Sequence, residues 1–85
     1  MVVLVDLEFI VEPFVEGNPG RHVHAAVDAV EAHELRVDLG PFSSSTQGTT
    51  EAVAAAVRDL LVAGFNAGAD RIQLHVRVVD SADHD

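Results

Sequence analysis

The stretch Phe42-Ser-Ser-Ser-Thr-Gln-Gly48 decides how this chain folds. By propensity alone it reads as a polar loop, since serine and glycine favour turns. Its surroundings argue for a strand. Immediately before it, Leu35, Val37 and Leu39 alternate with Arg36 and Asp38, and this period of two marks a strand that ends at Gly40-Pro41. Such a strand needs a partner, and residues 42–48 supply one if they are extended. Immediately after them, Thr49 or Thr50 caps a helix, with Glu51 in the first turn where the dipole favours a carboxylate. Val53, Ala56, Val57, Leu60, Leu61 and Gly64 then recur at helical spacing, and Gly68 suits the position just past the helix end.

Further out the pattern repeats. Val3, Val5, Leu7, Phe9 and Val11 point one way, and Asp6, Glu8 and Ile10 the other, until Pro13 stops ladder pairing. After a loop over residues 16–20, Asn18 is the expected N-cap and Pro19 the first residue of a helix over about 19–34. Val23, Ala26, Val27 and Val30 form its apolar stripe. On the C-terminal side Ile72, Leu74, Val76 and Val78 alternate with Arg71, Gln73, His75 and Arg77. The order strand–helix–strand–strand–helix–strand, with right-handed crossovers, predicts one α+β domain of the ferredoxin-like βαββαβ type. A four-stranded antiparallel sheet then carries two helices on one face. The domain spans residues 1–80, and 81–85 form a frayed acidic tail. The sheet's other face shows Asp6, Glu8, Ile10, Arg36, Asp38, Gln73, His75, Arg77 and Val79. That face is solvated, packed on another subunit, or used for a ligand.

Composition narrows the function. At 85 residues the chain holds one small core, and with no cysteine it has neither disulfides nor thiol chemistry, as befits the cytoplasm. Asp6 and Glu8 interrupt the first apolar run too soon for a signal peptide, and no stretch is long enough to span a membrane. Fourteen acidic residues face five arginines and no lysine, for a formal net charge of −9. The arginines are scattered, so nucleic acid is not an expected partner.

Several side chains could carry chemistry. His22 and His24 diverge by roughly 200° on a helix and cannot share a metal, so no metal site is expected. Asp6 and Glu8 lie about 6.6–7 Å apart along one strand face. With His75 they suit an acid–base pair, and equally a salt-bridged solvated surface. The Gly17–Gly20 turn before the first helix matches no phosphate-loop spacing, and no serine has a histidine beside it. The 42–48 run departs from the local rule that a central strand is apolar on its core face, and such departures concentrate at functional sites. Hydroxyls and an amide beside the Phe42 ring suit a small neutral heteroaromatic ligand. A polar loop or edge is the plainer reading.

Three stretches carry a family resemblance. Leu7-Glu-Phe9, ending at Pro13, resembles the opening strand of the thiamine-binding, YkoF-like family. Leu39-Gly-Pro-Phe-Ser-Ser-Ser-Thr-Gln-Gly48 is similar to its hairpin, and Gly68-Ala-Asp-Arg71 to its closing strand. The resemblance covers most of residues 4–80. It implies a non-enzymatic module that binds thiamine or its hydroxymethylpyrimidine moiety, without a cofactor, and assembles through its sheets as a homodimer or homotetramer. By position, Ser44 replaces the family's threonine and Gln47 its glutamate, while Pro41 and Gly48 are retained. Gln47 can hydrogen-bond but cannot pair with a cation, and Glu8 would supply that charge if it faced the same pocket. The implied ligand-binding set is Glu8, Phe42, Ser43, Ser44, Thr46 and Gln47. A small ferredoxin-like enzyme using Asp6, Glu8 and His75, and a purely structural or regulatory oligomer, are the competing readings.

Overall fold

The computed structural model describes residues 2–13 and 20–79. Six elements follow in the expected order: β1 (Leu4–Glu12), α1 (Arg21–Glu31), β2 (Asp38–Leu39), β3 (Ser44–Thr49), α2 (Thr50–Asn66) and β4 (Arg71–Val78). The strands form one sheet in the order β2-β3-β1-β4, and every neighbouring pair is antiparallel. This is the ferredoxin-like α+β arrangement. Among the described residues, no helix is long and apolar enough to cross a membrane.

The alternation along β1 builds the core. Val5, Leu7, Phe9 and Val11 are all buried, and they meet Val23, Ala26 and Val30 of α1 and Val53, Ala56 and Leu60 of α2. Each large aliphatic or aromatic side chain buried this way contributes about 1.5–3 kcal/mol. Small residues let the helices come close. A Cβ added at Gly64 would sit 3.1 Å from Ile72 Cδ1 and 3.8 Å from Ala26 Cβ.

Both ends of α2 are satisfied locally. The Thr49 hydroxyl accepts a bond from the Ala52 amide at 3.1 Å, which settles the cap on Thr49, while the Thr50 hydroxyl donates to the Val3 carbonyl. At the other end Gly68 adopts φ +112°, and its amide and that of Ala69 return to the carbonyls of Phe65 and Gly64. Those two bonds form the Schellman pattern, and glycine occupies the position that needs positive φ.

Three boundaries differ from the sequence reading. The polar run does form a strand, but over Ser44–Thr49, with Phe42 and Ser43 before it. β2 is only two residues long, because Leu35 and Val37 pack toward the core without joining the ladder. The first helix begins at Arg21 with Gly20 as its extended N-cap, and ends at Glu31 before a turn in which Glu34 has φ 62°. Asn18 and Pro19, expected at that cap, lie outside the described residues, as does the acidic tail 81–85.

Candidate functional site

The face of the sheet away from the helices holds a trough of about 750 Å³. Strand register sets its floor. Gln47, Asp6 and Arg77 are lateral neighbours on β3, β1 and β4, and Ser45, Glu8 and His75 are neighbours one step along. On the β2 side Asp38 pairs with Ser45 and so extends the second row, and Arg36 also lines the trough. The floor is therefore a grid, with Asp6 and Glu8 on β1, Arg77 and His75 on β4, and Asp38 beside Arg36 at the β2 edge.

Hydrogen bonds tie parts of this grid together. Gln47 Nε2 donates to Asp6 Oδ1 at 2.8 Å, and the Arg77 guanidinium lies 3.6 Å from the other Asp6 oxygen. Ser43 Oγ donates to Glu8 Oε2 at 2.8 Å. Below them Gln73 Nε2 reaches Glu12 at 2.6 Å, with Arg71 at 3.7 Å from the same oxygen. These pairs are exposed or half-exposed, so each contributes at most about 1 kcal/mol. Their effect is to orient the carboxylates.

The expected site residues divide between two faces. Glu8, Ser43 and Gln47 come together on the open side. Ser44 and Thr46 are buried, because they pair with Phe9 and Leu7 and so point toward the helices. The Thr46 hydroxyl donates instead to the Arg36 carbonyl at 2.6 Å, across the gap where β2 leaves the ladder. Phe42 is 63% exposed at the β2–β3 connection and does not line the trough. Ser45, Arg36 and Asp38 do line it. Ser45 shares the parity of Ser43 and Gln47, and the register with β1 places that parity on the open side.

His33 Nε2 lies 2.7 Å from Asp59 Oδ2 and joins the end of α1 to α2, while His75 stands in the trough. Among the described residues no group of three His, Cys, Asp or Glu side chains could hold a metal ion. Among the described residues Asp59 is the one carboxyl held clearly below its usual range, first by the Arg58 hydrogen bond and then by that from His33.

Fold and floor together define a βαββαβ domain whose polar sheet face forms an open trough. Residues 7–85 match the thiamine-binding protein family, and the chain belongs to it. Among curated protein sequences there is no match. Solved structures with the same fold include a domain of unknown function, DUF77, from Bacillus cereus. It is 19% identical with a TM-score of 0.70, over 98% of this chain and 81% of that one. A Thermotoga maritima protein provisionally assigned to thiamine biosynthesis or salvage is 21% identical, with a TM-score of 0.66 over 93% and 85% of the two chains. A Streptococcus pneumoniae protein is 16% identical, with a TM-score of 0.62 over 95% and 88%. At these identities the structures share a fold.

Proposed function

We propose that this chain is a non-catalytic binding module for thiamine or its hydroxymethylpyrimidine moiety, holding the ligand in the open trough. Membership of the thiamine-binding protein family supports the ligand class. The observation that carries the reading is that Glu8 and Gln47 face the same trough. A thiazolium or protonated aminopyrimidine cation needs a carboxylate nearby, and Gln47 cannot provide one. Glu8 can, one strand across and one step along. Its Oε2 already holds the Ser43 hydroxyl, which leaves Oε1 for the ligand. The Gln47 amide, by donating to Asp6, leaves its carbonyl oxygen as an acceptor for an amino group.

The module works as a homo-oligomer in the cytoplasm. An open floor exposes a bound ring to water, whereas small-molecule sites bury about 70–90% of their ligand. A second copy laid over the sheet would supply the missing wall. Isothermal titration with thiamine and with hydroxymethylpyrimidine tests the reading, and size-exclusion chromatography gives the subunit number. Saturable binding that falls about tenfold in Glu8→Gln is the expected result for a charge-assisted contact. A folded oligomer that gives no heat with either compound would sink it.

A further inference from the structure

We infer that the free edge of β4 is an interface with a second copy of this chain, pairing antiparallel with its own counterpart so that two sheets join into one. The contact is independent of what the trough binds, and it leaves the open face free for a covering copy.

The register identifies which main-chain groups are unused. The Val79 amide donates to the Leu4 carbonyl at 3.0 Å, and from that pair the antiparallel ladder places the odd residues of β4 in hydrogen bonds with β1. The amides and carbonyls of Ile72, Leu74, Val76 and Val78 therefore point away from the sheet, where among the described residues no strand meets them. Their side chains share the parity of the core. Val76 and Val78 nevertheless stay 54% and 66% exposed, although they stand opposite the buried Leu7 and Val5. Apolar side chains and unpaired amides thus occupy one edge together, the pattern of a strand that pairs with another chain. The sheet's other edge is blunted, because β2 is two residues long. Devices that keep an edge solitary are missing from β4. It holds no proline and no lysine, and its arginines turn to Glu12 and Asp6 of the same sheet.

The strand also fits itself. A two-fold axis through one residue pairs each parity with its own kind, as the hydrogen bonds require. With the axis at His75, Ile72 meets the partner's Val78 and Leu74 meets the partner's Val76 on the helix side. On the open side Gln73 meets the partner's Arg77. An axis at Leu74 would oppose Arg71 to the partner's Arg77, and an axis at Arg77 would oppose that residue to its copy. Like charges directly opposite are destabilising. An axis at Val76 avoids this but carries Ile72 past the end of the partner strand. His75 is therefore the axis, and since it lines the trough, the two troughs run into each other across it.

The test is amide hydrogen exchange by NMR on the full chain, with light scattering for the subunit number, at about pH 7.5, where a free histidine is mostly uncharged. The Leu74, Val76 and Val78 amides should exchange as slowly as those of Gln73, His75 and Arg77. Val76→Lys, at an exposed side chain, should release them and halve the subunit number, with the circular dichroism unchanged. The chain has no cysteine, so His75→Cys introduces a single thiol. Its Cα would lie about 4.5 Å from its copy's, within disulfide reach. Oxidation should then give a covalent dimer, and adding Val76→Lys should prevent it. Fast exchange at Leu74, Val76 and Val78 beside slow exchange at Gln73 and Arg77 overturns the interface. So does a covalent dimer that survives Val76→Lys, since it would come from stacked open faces. Slow exchange without any covalent dimer would mean that another segment of the same chain covers the edge, and it overturns the second copy. None of these readouts depends on thiamine, whose binding is measured separately by titration.

Discussion

Thr46 brings a hydroxyl into a layer of valines and leucines, paired with Leu7 and only 6% exposed. Burying a hydroxyl is tolerated only where it is hydrogen-bonded. Here its partner is a main-chain carbonyl that β2 leaves outside the ladder. Thr46→Val keeps the shape, removes the donor and strands that carbonyl. Denaturant unfolding should show a loss of about 1–2 kcal/mol. An unchanged midpoint would mean that water replaces the hydroxyl. The neighbouring Ser44 gives a contrasting outcome. Its side chain faces the helices, so Ser44→Ala should leave the affinity for thiamine within about twofold of wild type, measured in the same titration that shows the loss in Glu8→Gln. A large loss in Ser44→Ala would mean that the ligand enters between sheet and helices. That would displace the site from the open face.

Elements, in contrast, are decided by pattern and by ends. Thr49 is the whole side-chain cap of α2, and Thr49→Ala should cost about 1 kcal/mol by denaturant unfolding. A second end effect links the helices to pH. Asp59 is ionised to lower pH in the folded chain than in the unfolded one, because Arg58 and His33 bond its carboxylate. A depressed carboxyl contributes stability above its unfolded value, near 3.8, and loses it as the pH falls through the lower folded value. Asp59→Ala should therefore be less stable than wild type at neutral pH, with the difference closing below about pH 4. A gap that persisted to pH 2 would assign the loss to packing instead. At this scale the sequence was legible where apolar residues alternate. β1, β4 and α2 follow directly from their periods, and Gly68 marks its helix end. The strand β3 was legible as an element only because β2 needed a partner. Its faces were not, for a physical reason: residues 43–47 are polar throughout, so nothing in the run says which parity is buried. The register with β1 settles it, since Phe9 opposite Ser44 commits the even residues to the core. Hence Ser44 was expected in the site and Ser45 was missed. β2 is shorter than its alternation suggests because Leu35 and Val37 use their side chains for the core without using their amides for the ladder.

For the whole molecule the governing quantity is charge. A net −9 on 85 residues produces self-repulsion that compactness intensifies, and the four ion pairs seen among the described residues lie at the surface, where they offset little of it. Salt screens repulsion among exposed charges over a Debye length of about 10 Å at 0.1 M and about 3 Å at 1 M. The thermal midpoint by calorimetry should accordingly rise between these two concentrations of sodium chloride. The trough responds in the opposite sense. Attraction between the Glu8 carboxylate and a thiamine cation is weakened by the same screening, so the affinity for thiamine should fall as the protein becomes more stable. The two responses separate global charge from local charge in one series of samples. A midpoint that fell with salt would mean that the pairs Asp6–Arg77 and Glu12–Arg71 outweigh the net repulsion, and that the acidic surface is organised as a network. A thiamine affinity that ignored salt would point to hydrogen bonding by Gln47, with little help from the Glu8 charge.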